Sequence, residues 1–413
     1  LFALRADGAL CALRAAHNHN RRCGCVGVPL LYLATKIVVM PRVLVSVTND
    51  LNNDQRVHKV CLTLQDQGLE VLLIGRLLPD SRPIHRSYRT HRMRLFFRRG
   101  PLFYAEYNLR LFFFLIRQRM DILHSNDLDT LLPNFLVSRI RRTPLVYDTH
   151  EYFTGVPELR HRPLVKRIWR QIEAGILPRL EYIFTVNSSI AQLYAKDYGI
   201  SARVMRNVPL RLSPGIEPKS RADIGIPEDA FLLVNQGTGI NIDRGMEELF
   251  GALEKLPSEV HLLLIGKGDV IPSLKQRAQE SGKLRKRVHF IPPLPYEEMM
   301  RHTMFCDLGL SLDKDTNINY RFSLPNKVFD YIRAGIPLLT TDLPEVGRIV
   351  RTYDVGLCIE ECNEAKVEKG IMHMMSQGKE RFAKALERAS QELCWEEEVQ
   401  TLVACYGEIQ NKQ

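Results

Sequence analysis

The chain has 413 residues, 45% of them hydrophobic and 25% charged, which excludes a single ordinary core and suits two domains of roughly 150 to 200 residues each. The formal charge is +10; residues 1–39 hold five basic residues (Arg5, Arg14, Arg21, Arg22, Lys36) and one acid, Asp7, and the rest of the chain still carries 52 basic against 46 acidic residues. That excess suits phosphate-bearing ligands and an anionic membrane surface, although net charge alone identifies no partner.

The first Met is Met40, just ahead of the apolar run Pro41 to Val47, and the native chain is expected to start there. Residues 1–39 are then translated upstream sequence or a leader, set aside from the fold reasoning; their Arg-rich, acid-poor composition also fits a transit peptide. The apolar run Val26 to Val39 is interrupted by Lys36 and is shorter than the about 20 residues that span a bilayer. His17, His19, Cys23 and Cys25 cluster in the same segment, but structural zinc sites space their cysteines by about two to four residues, so no metal site is expected there. Nine cysteines in all, an odd number without a disulfide framework, point to a reducing compartment and hence the cytoplasm.

From Arg42 onward short aliphatic runs alternate with helical patterns, which predicts βα units and parallel sheets. In the first half the strands are Arg42–Val47, Val71–Ile74, Ile122–His124, Leu145–Asp148 and Tyr182–Val186, with helices near 54–67, 101–118, 127–141, 163–179 and 188–198. The second half repeats the scheme with Phe231–Asn235, His261–Ile265, Val288–Ile291, Leu308–Ser311 and Leu338–Thr340. Pro209, Pro214, Gly215 and Pro218 cluster between the halves and mark a linker. The expected division is a first Rossmann-like domain over 40–207, a linker over 208–222, a second domain over 223–378 and C-terminal helices over 379–413. Open α/β sheets bind ligands beyond the carboxyl ends of their strands, so a cleft between two such domains is the expected site.

Several residues sit where chemistry is expected. The polar loop Asn49-Asp50-Leu51-Asn52-Asn53-Asp54 is expected as a lip of the cleft, with Asn53 or Asp54 available to cap the first helix. Residues 85–120 hold nine Arg, nine aromatic residues and one acid, Glu106. Such interleaving can lie on an anionic bilayer, can be an apolar core with a solvated Arg face, and, as a third reading set behind these, can grip single-stranded nucleic acid. Asp127/Asp129 and Asp313/Asp315 form two Asp-x-Asp pairs, a pattern too short to specify a metal; Asp127 stands where a helix needs an N-cap. His150 follows Tyr147-Asp148-Thr149 at a strand end, where Asp148 and Glu151 can orient its ring. Gly237-Thr238-Gly239 follows a strand and precedes a helix opening near Arg244, so amides, a helix N-terminus and a guanidinium fork suit a pyrophosphate. Glu345 is expected to cap the helix that follows it.

The segment Ser323-Leu324-Pro325-Asn326-Lys327-Val328-Phe329-Asp330-Tyr331-Ile332-Arg333-Ala334-Gly335-Ile336-Pro337, with Asp148-Thr149-His150-Glu151 and Asp243-Arg244-Gly245, resembles the family-4 glycosyltransferases of the GT-B fold, which use nucleotide sugars as donors. The resemblance runs from about Met40 to the C-terminus. It implies two Rossmann-like doubly wound parallel-sheet domains facing a central cleft, with the last helix crossing back to the first domain. It implies sugar transfer from a nucleoside diphosphate sugar to a hydroxyl of a glycan or lipid-linked acceptor, with retention and without a metal or other cofactor.

By the same resemblance the catalytic residues are His150, Arg244 and Lys327, and the donor-binding residues are Gly237, Thr238, Gly239, Ser323, Asn326 and Asp330. Asn49, Asp50, Asn126, Asp127 and Glu151 fall on the acceptor side. Asp330 takes the second Glu position of the family's E-x7-E motif, Phe322 replaces the first, and Thr238 replaces one of two cations that commonly hold the diphosphate. These departures keep two rivals in view: a nucleotide-sugar-binding or scaffold protein whose transferase activity has lapsed, and a non-hydrolysing sugar-nucleotide epimerase. The expected setting is cell-envelope polysaccharide synthesis at the inner face of the membrane.

Overall fold

The computed structural model describes residues 40–52, 54–156, 159, 162–211 and 217–412. The expectations for residues 1–39, including the His17 to Cys25 cluster, and for Asn53, Pro214 and Gly215 lie outside the described residues.

The first half alternates strand and helix. Its elements are β1 (Arg42–Ser46), α1 (Gln55–Asp66), β2 (Glu70–Leu77), β3 (Arg89–Arg94), α2 (Gly100–Ile116), β4 (Ile122–Asn126) and α3 (Leu128–Arg141), then β5 (Leu145–Thr149), α4 (Pro163–Ile176), β6 (Tyr182–Thr185), α5 (Ser188–Tyr198) and β7 (Arg203–Val204). β1, β4 and β5 are buried along their whole length, as strands covered on both faces must be. In α1, Val57, Val60, Cys61 and Leu64 recur at helical spacing and are buried, giving the stripe that seats it on the sheet. Asp54 starts that helix by accepting from the Val57 amide.

The second half contains β8 (Phe231–Gly237), α6 (Met246–Leu253), β9 (Val260–Gly266), α7 (Ile271–Glu280), β10 (Val288–Ile291), α8 (Tyr296–Thr303) and β11 (Leu308–Ser311). It continues with α9 (Ile318–Arg321), α10 (Asn326–Ala334), β12 (Leu338–Thr341), α11 (Pro344–Tyr353), β13 (Gly356–Ile359) and α12 (Glu364–Gln377). The chain ends in α13 (Ala383–Glu392), α14 (Trp395–Glu398) and α15 (Gln400–Lys412).

Both sheets are parallel throughout. Their orders are β3-β2-β1-β4-β5-β6-β7 and β10-β9-β8-β11-β12-β13, so each reverses direction beside its first strand, the place where open sheets form a ligand crevice. β3, β7 and β13 extend the sheets at their edges.

The last helices run along the first sheet. The Tyr406 hydroxyl lies 2.8 Å from His124 Nδ1, Trp395 donates to Thr63, and Arg206 holds Glu398 through Nε and Nη2. One apolar cluster accordingly runs from the α1 face of the first sheet through these helices into the second domain. No helix among the described residues is long and apolar enough to cross a membrane.

Candidate active site

A cavity of about 800 Å³ lies where the carboxyl ends of the two sheets face each other. The first domain lends it Asn49, Asp50, His150 and Glu151; the second lends Asn241, Arg244, Ser323 and Asn326.

Backbone geometry fixes Arg244. Asp243 and Gly245 on either side of it have φ of 65° and 76°, and a Cβ on Gly245 would come within 2.4 Å of the Leu312 carbonyl, so only glycine closes this turn. The helix begins at Met246, two residues after Arg244. The guanidinium lies 4.3 Å from the Tyr320 ring centroid and donates Nη1 to Asp313 at 2.6 Å. Its Nε has no hydrogen-bond partner among the described residues. Ser323 donates to the same Asp313 oxygen at 3.4 Å. Asp313, weighed from sequence as half of a metal-type pair, therefore steadies the cation, while Asp315 pairs with Arg321.

Gly237, Thr238 and Gly239 do not line the cavity. They form an open loop at the end of β8, where a Cβ on either glycine would meet nothing within 4 Å, leaving room for backbone amides to be approached. Lys327, in the first turn of α10, donates Nζ to Asn235 at 2.6 Å. Burial and the Arg244 charge push its ammonium down to about 8 against the pull of Asp313.

Asp330 also stands outside the cavity. It is buried and accepts from the Tyr296 hydroxyl at 3.0 Å and from Gln236 at 3.2 Å, and burial pushes its carboxyl up to about 6 despite those bonds. A ribose would have to compete with, or join, these two donors.

On the first-domain side, His150 is held between two carboxylates: Nδ1 lies 3.3 Å from Asp127 and Nε2 3.5 Å from Asp148. Burial opposes its charge, but the two acids outweigh it and raise the imidazole to about 9. Burial would likewise raise Asp148, but the buried Arg56, bonded to it through Nε and Nη2, and His150 hold that carboxyl well below the usual range. Arg56 is a member of this network that the sequence did not reveal.

Asp127 corrects a local expectation. It stands at the N-cap position of α3 with φ of 57° but makes no side-chain cap bond; its carboxylate instead accepts from the His150 amide at 2.9 Å. Asn126 is buried, donates to the Ser46 carbonyl at 3.1 Å and does not line the cavity. Asn49 donates to Asp54 at 2.7 Å, and Asp50 accepts from Ser81 at 2.7 Å.

Glu345 requires a second correction. It lies in the first turn of α11, but its carboxylate crosses the seam to accept from the Ser189 amide at 2.7 Å, at the N-terminus of α5. Nearby, Asn187 donates to the Phe322 carbonyl at 2.8 Å, and Asn319 both accepts from the Tyr152 amide and donates to its carbonyl, each at 3.2 Å. Sequence reasoning missed these seam asparagines: Asn187 signals only the N-cap of α5, and Asn319 lies within the four-residue α9.

The Arg-aromatic region divides. Phe103, Tyr107, Leu111 and Leu115 are buried in the core of the first domain, while Phe96 is 85% exposed and Phe97, Leu102, Leu109 and Phe113 are also exposed beside Arg94, Arg98 and Arg99. Arg110 lies over the Phe96 ring, 5.2 Å from its centroid, and Arg117 over that of Phe113 at 5.5 Å.

Two doubly wound parallel-sheet domains facing a cleft with an anchored cation define the GT-B class. Residues 55–209 match Glycosyltransferase Family 4, and residues 217–392 match Glycosyl transferases group 1. The chain belongs to the family-4, group 1 glycosyltransferases and is an enzyme of that kind. No curated protein matches it in sequence.

Among solved structures it is similar to sucrose-phosphate synthase from Thermosynechococcus elongatus, at 16% identity over 91% of this chain and 100% of that one, with a TM-score of 0.70. HepE of Anabaena in complex with UDP-glucose is similar at 16% identity over 89% and 99%, with a TM-score of 0.67. WaaG, a glycosyltransferase involved in lipopolysaccharide biosynthesis, is similar at 16% over 86% and 95%, with a TM-score of 0.61. At such identity these likenesses speak to the fold.

Proposed function

We propose that this enzyme moves a sugar from a nucleoside diphosphate sugar to a hydroxyl of a glycan or lipid-linked acceptor, with retention of anomeric configuration and without a metal ion. The observation that carries the reading is Arg244, fixed between two left-handed backbone residues and held over Tyr320 in a cavity at the carboxyl ends of both sheets. The UDP-glucose bound by HepE and the lipopolysaccharide role of WaaG support the donor and acceptor classes.

In this reading the bond from the anomeric carbon to the diphosphate oxygen breaks while negative charge grows on the departing phosphate. Arg244 in the cavity stabilises that charge, joined by Lys327 and the open amides at Gly237-Thr238-Gly239, which stand just beyond the cavity lining. A phosphate beside Lys327 favours its charged form, offsetting the effect of burial. His150, charged at neutral pH, is a further fixed cation on the cavity wall. The departing phosphate takes the proton of the acceptor hydroxyl as the new glycosidic bond forms, so no protein base is needed.

We place the reaction at the cytoplasmic face of a membrane, in the synthesis of a cell-envelope polysaccharide. The exposed Phe96, Phe97, Leu102 and Phe113 among arginines suit peripheral contact with anionic lipid. The test is a calorimetric screen of UDP, GDP, ADP and dTDP sugars followed by turnover of the best binder. Saturable binding with slow hydrolysis is expected, and absence of binding by all four classes overturns the donor assignment.

A further inference from the structure

A second cavity, of about 390 Å³, lies in the first domain behind His150. One wall is aromatic: Trp169 meets Tyr104 and Phe153 edge-on, each at 5.3 Å between centroids. The other wall carries Asp127, Asp129 and Glu151. Glu151 lines both cavities, and the Asp127 of the smaller one holds the His150 of the larger, so the two adjoin at these residues. Gly100 and Pro101, at the start of α2, also line it, which places it beside the exposed Phe96, Phe97 and Leu102.

Asp129 is the feature that the described network leaves incomplete. It is 8% exposed, and Oδ2 accepts from the Thr48 hydroxyl at 2.5 Å, but Oδ1 has no hydrogen-bond partner among the described residues. A buried carboxylate oxygen left without a donor is unusual in a native structure. Burial, reinforced by the neighbouring Asp127, pushes this carboxyl up to about 7. Three carboxyl groups outnumber Arg162, the exposed cation that also lines the cavity, and so disfavour an anionic ligand, and the aromatic wall offers an apolar surface to a ring that carries hydroxyls on its edges. The volume falls in the range of small-molecule sites, about 300–1,000 Å³.

We propose that this cavity is the acceptor subsite, seating an uncharged sugar residue of the acceptor with its apolar face on the Trp169 wall and a hydroxyl donating to Asp129. The assignment rests on the transferase reading above and specifies its acceptor: a neutral glycoside whose aglycone leaves toward the exposed aromatic edge.

The chain has two tryptophans, Trp169 in this cavity and Trp395 at the seam, so a Trp395→Phe variant leaves Trp169 as the single reporter. Its fluorescence is followed on titration with octyl β-glucoside, octyl β-galactoside and octyl β-glucuronide below their micelle concentrations. A saturable response to at least one neutral glycoside is expected, with little or none to the charged one. Asp129→Asn, which keeps an oxygen for Thr48 and replaces the open acceptor with a donor, should weaken that binding by about tenfold or more. Its melting temperature and UDP affinity should remain as in the parent. Silence to both neutral glycosides, an equal response to the glucuronide, or unchanged affinity in Asp129→Asn each overturns the subsite. The donor screen fails or succeeds separately: Trp169 can respond without nucleotide binding, and nucleotide can bind without a response at Trp169.

Discussion

Arg244→Met removes both the charge and the planar fork from the middle of the proposed site, and on the proposed mechanism the change does two separable things. It withdraws the cation from the departing diphosphate, and it strips buried Asp313 of its 2.6 Å partner, leaving Ser323 at 3.4 Å. The first effect should lower turnover by at least about tenfold, a barrier increase of roughly 1.4 kcal/mol, with nucleotide affinity falling less because the charge to be stabilised grows in the transition state. The second should cost about 1–3 kcal/mol of stability, the range for a buried acceptor that loses its donor. Adding Asp313→Asn separates them: the double variant should regain the melting temperature of the parent and stay slow. Steady-state kinetics with the best donor, nucleotide calorimetry and thermal melts give the three readouts. Recovery of turnover in the double variant would refute the reasoning, because Arg244 would then serve only to neutralise Asp313. A loss of affinity with turnover unchanged at saturation would make it a ground-state clamp.

His150 is raised from 6.5 to about 9, so its contribution to stability is complete below about 6.5 and is lost as the pH climbs through about 9. The stability gap between the parent and His150→Gln, measured by urea melts, should narrow over that window; a constant gap counts against a charged imidazole. Asp330→Ala should weaken nucleotide binding by about 1.5–3 kcal/mol if its carboxylate joins a ribose, whereas unchanged affinity by calorimetry would leave it only bracing Tyr296 and Gln236. Glu345→Ala should cost about 1–2 kcal/mol by removing the acceptor at the N-terminus of α5, and an unaltered melt shows that the seam does not depend on it. Protein should sediment with anionic liposomes and be released by salt, and charge reversal at Arg98 and Arg99 should reduce that binding; equal binding to neutral vesicles argues for a solvated face.

The alternation of apolar runs with helical patterns was enough to predict two parallel-sheet domains, because central strands such as Val43 to Val45 are buried on both faces and leave a continuous apolar signature in the chain. β7 and β13 carried no such signature: Arg203–Val204 is two residues long, and Gly356–Ile359 is only partly buried at the sheet edge. The same limit governs the site. Arg244 was legible because it stands where a helix opens after a strand and the Gly237-Thr238-Gly239 loop, and His150 because it ends a strand.

The partners of these residues were not legible. Asp127 read locally as a helix cap and became a ligand of the imidazole 23 residues away; Glu345 read as a cap for its own helix and crossed 156 residues to another. Asp330 read as a ribose ligand and was found engaged by Tyr296 and by Gln236, 94 residues distant. Secondary structure follows from spacing along the chain, which the sequence displays directly. Which carboxylate meets which partner, and how far burial moves each proton affinity, depend on residues that only tertiary packing brings within hydrogen-bonding distance, inside one domain for Asp127 and Asp330 and across the seam for Glu345.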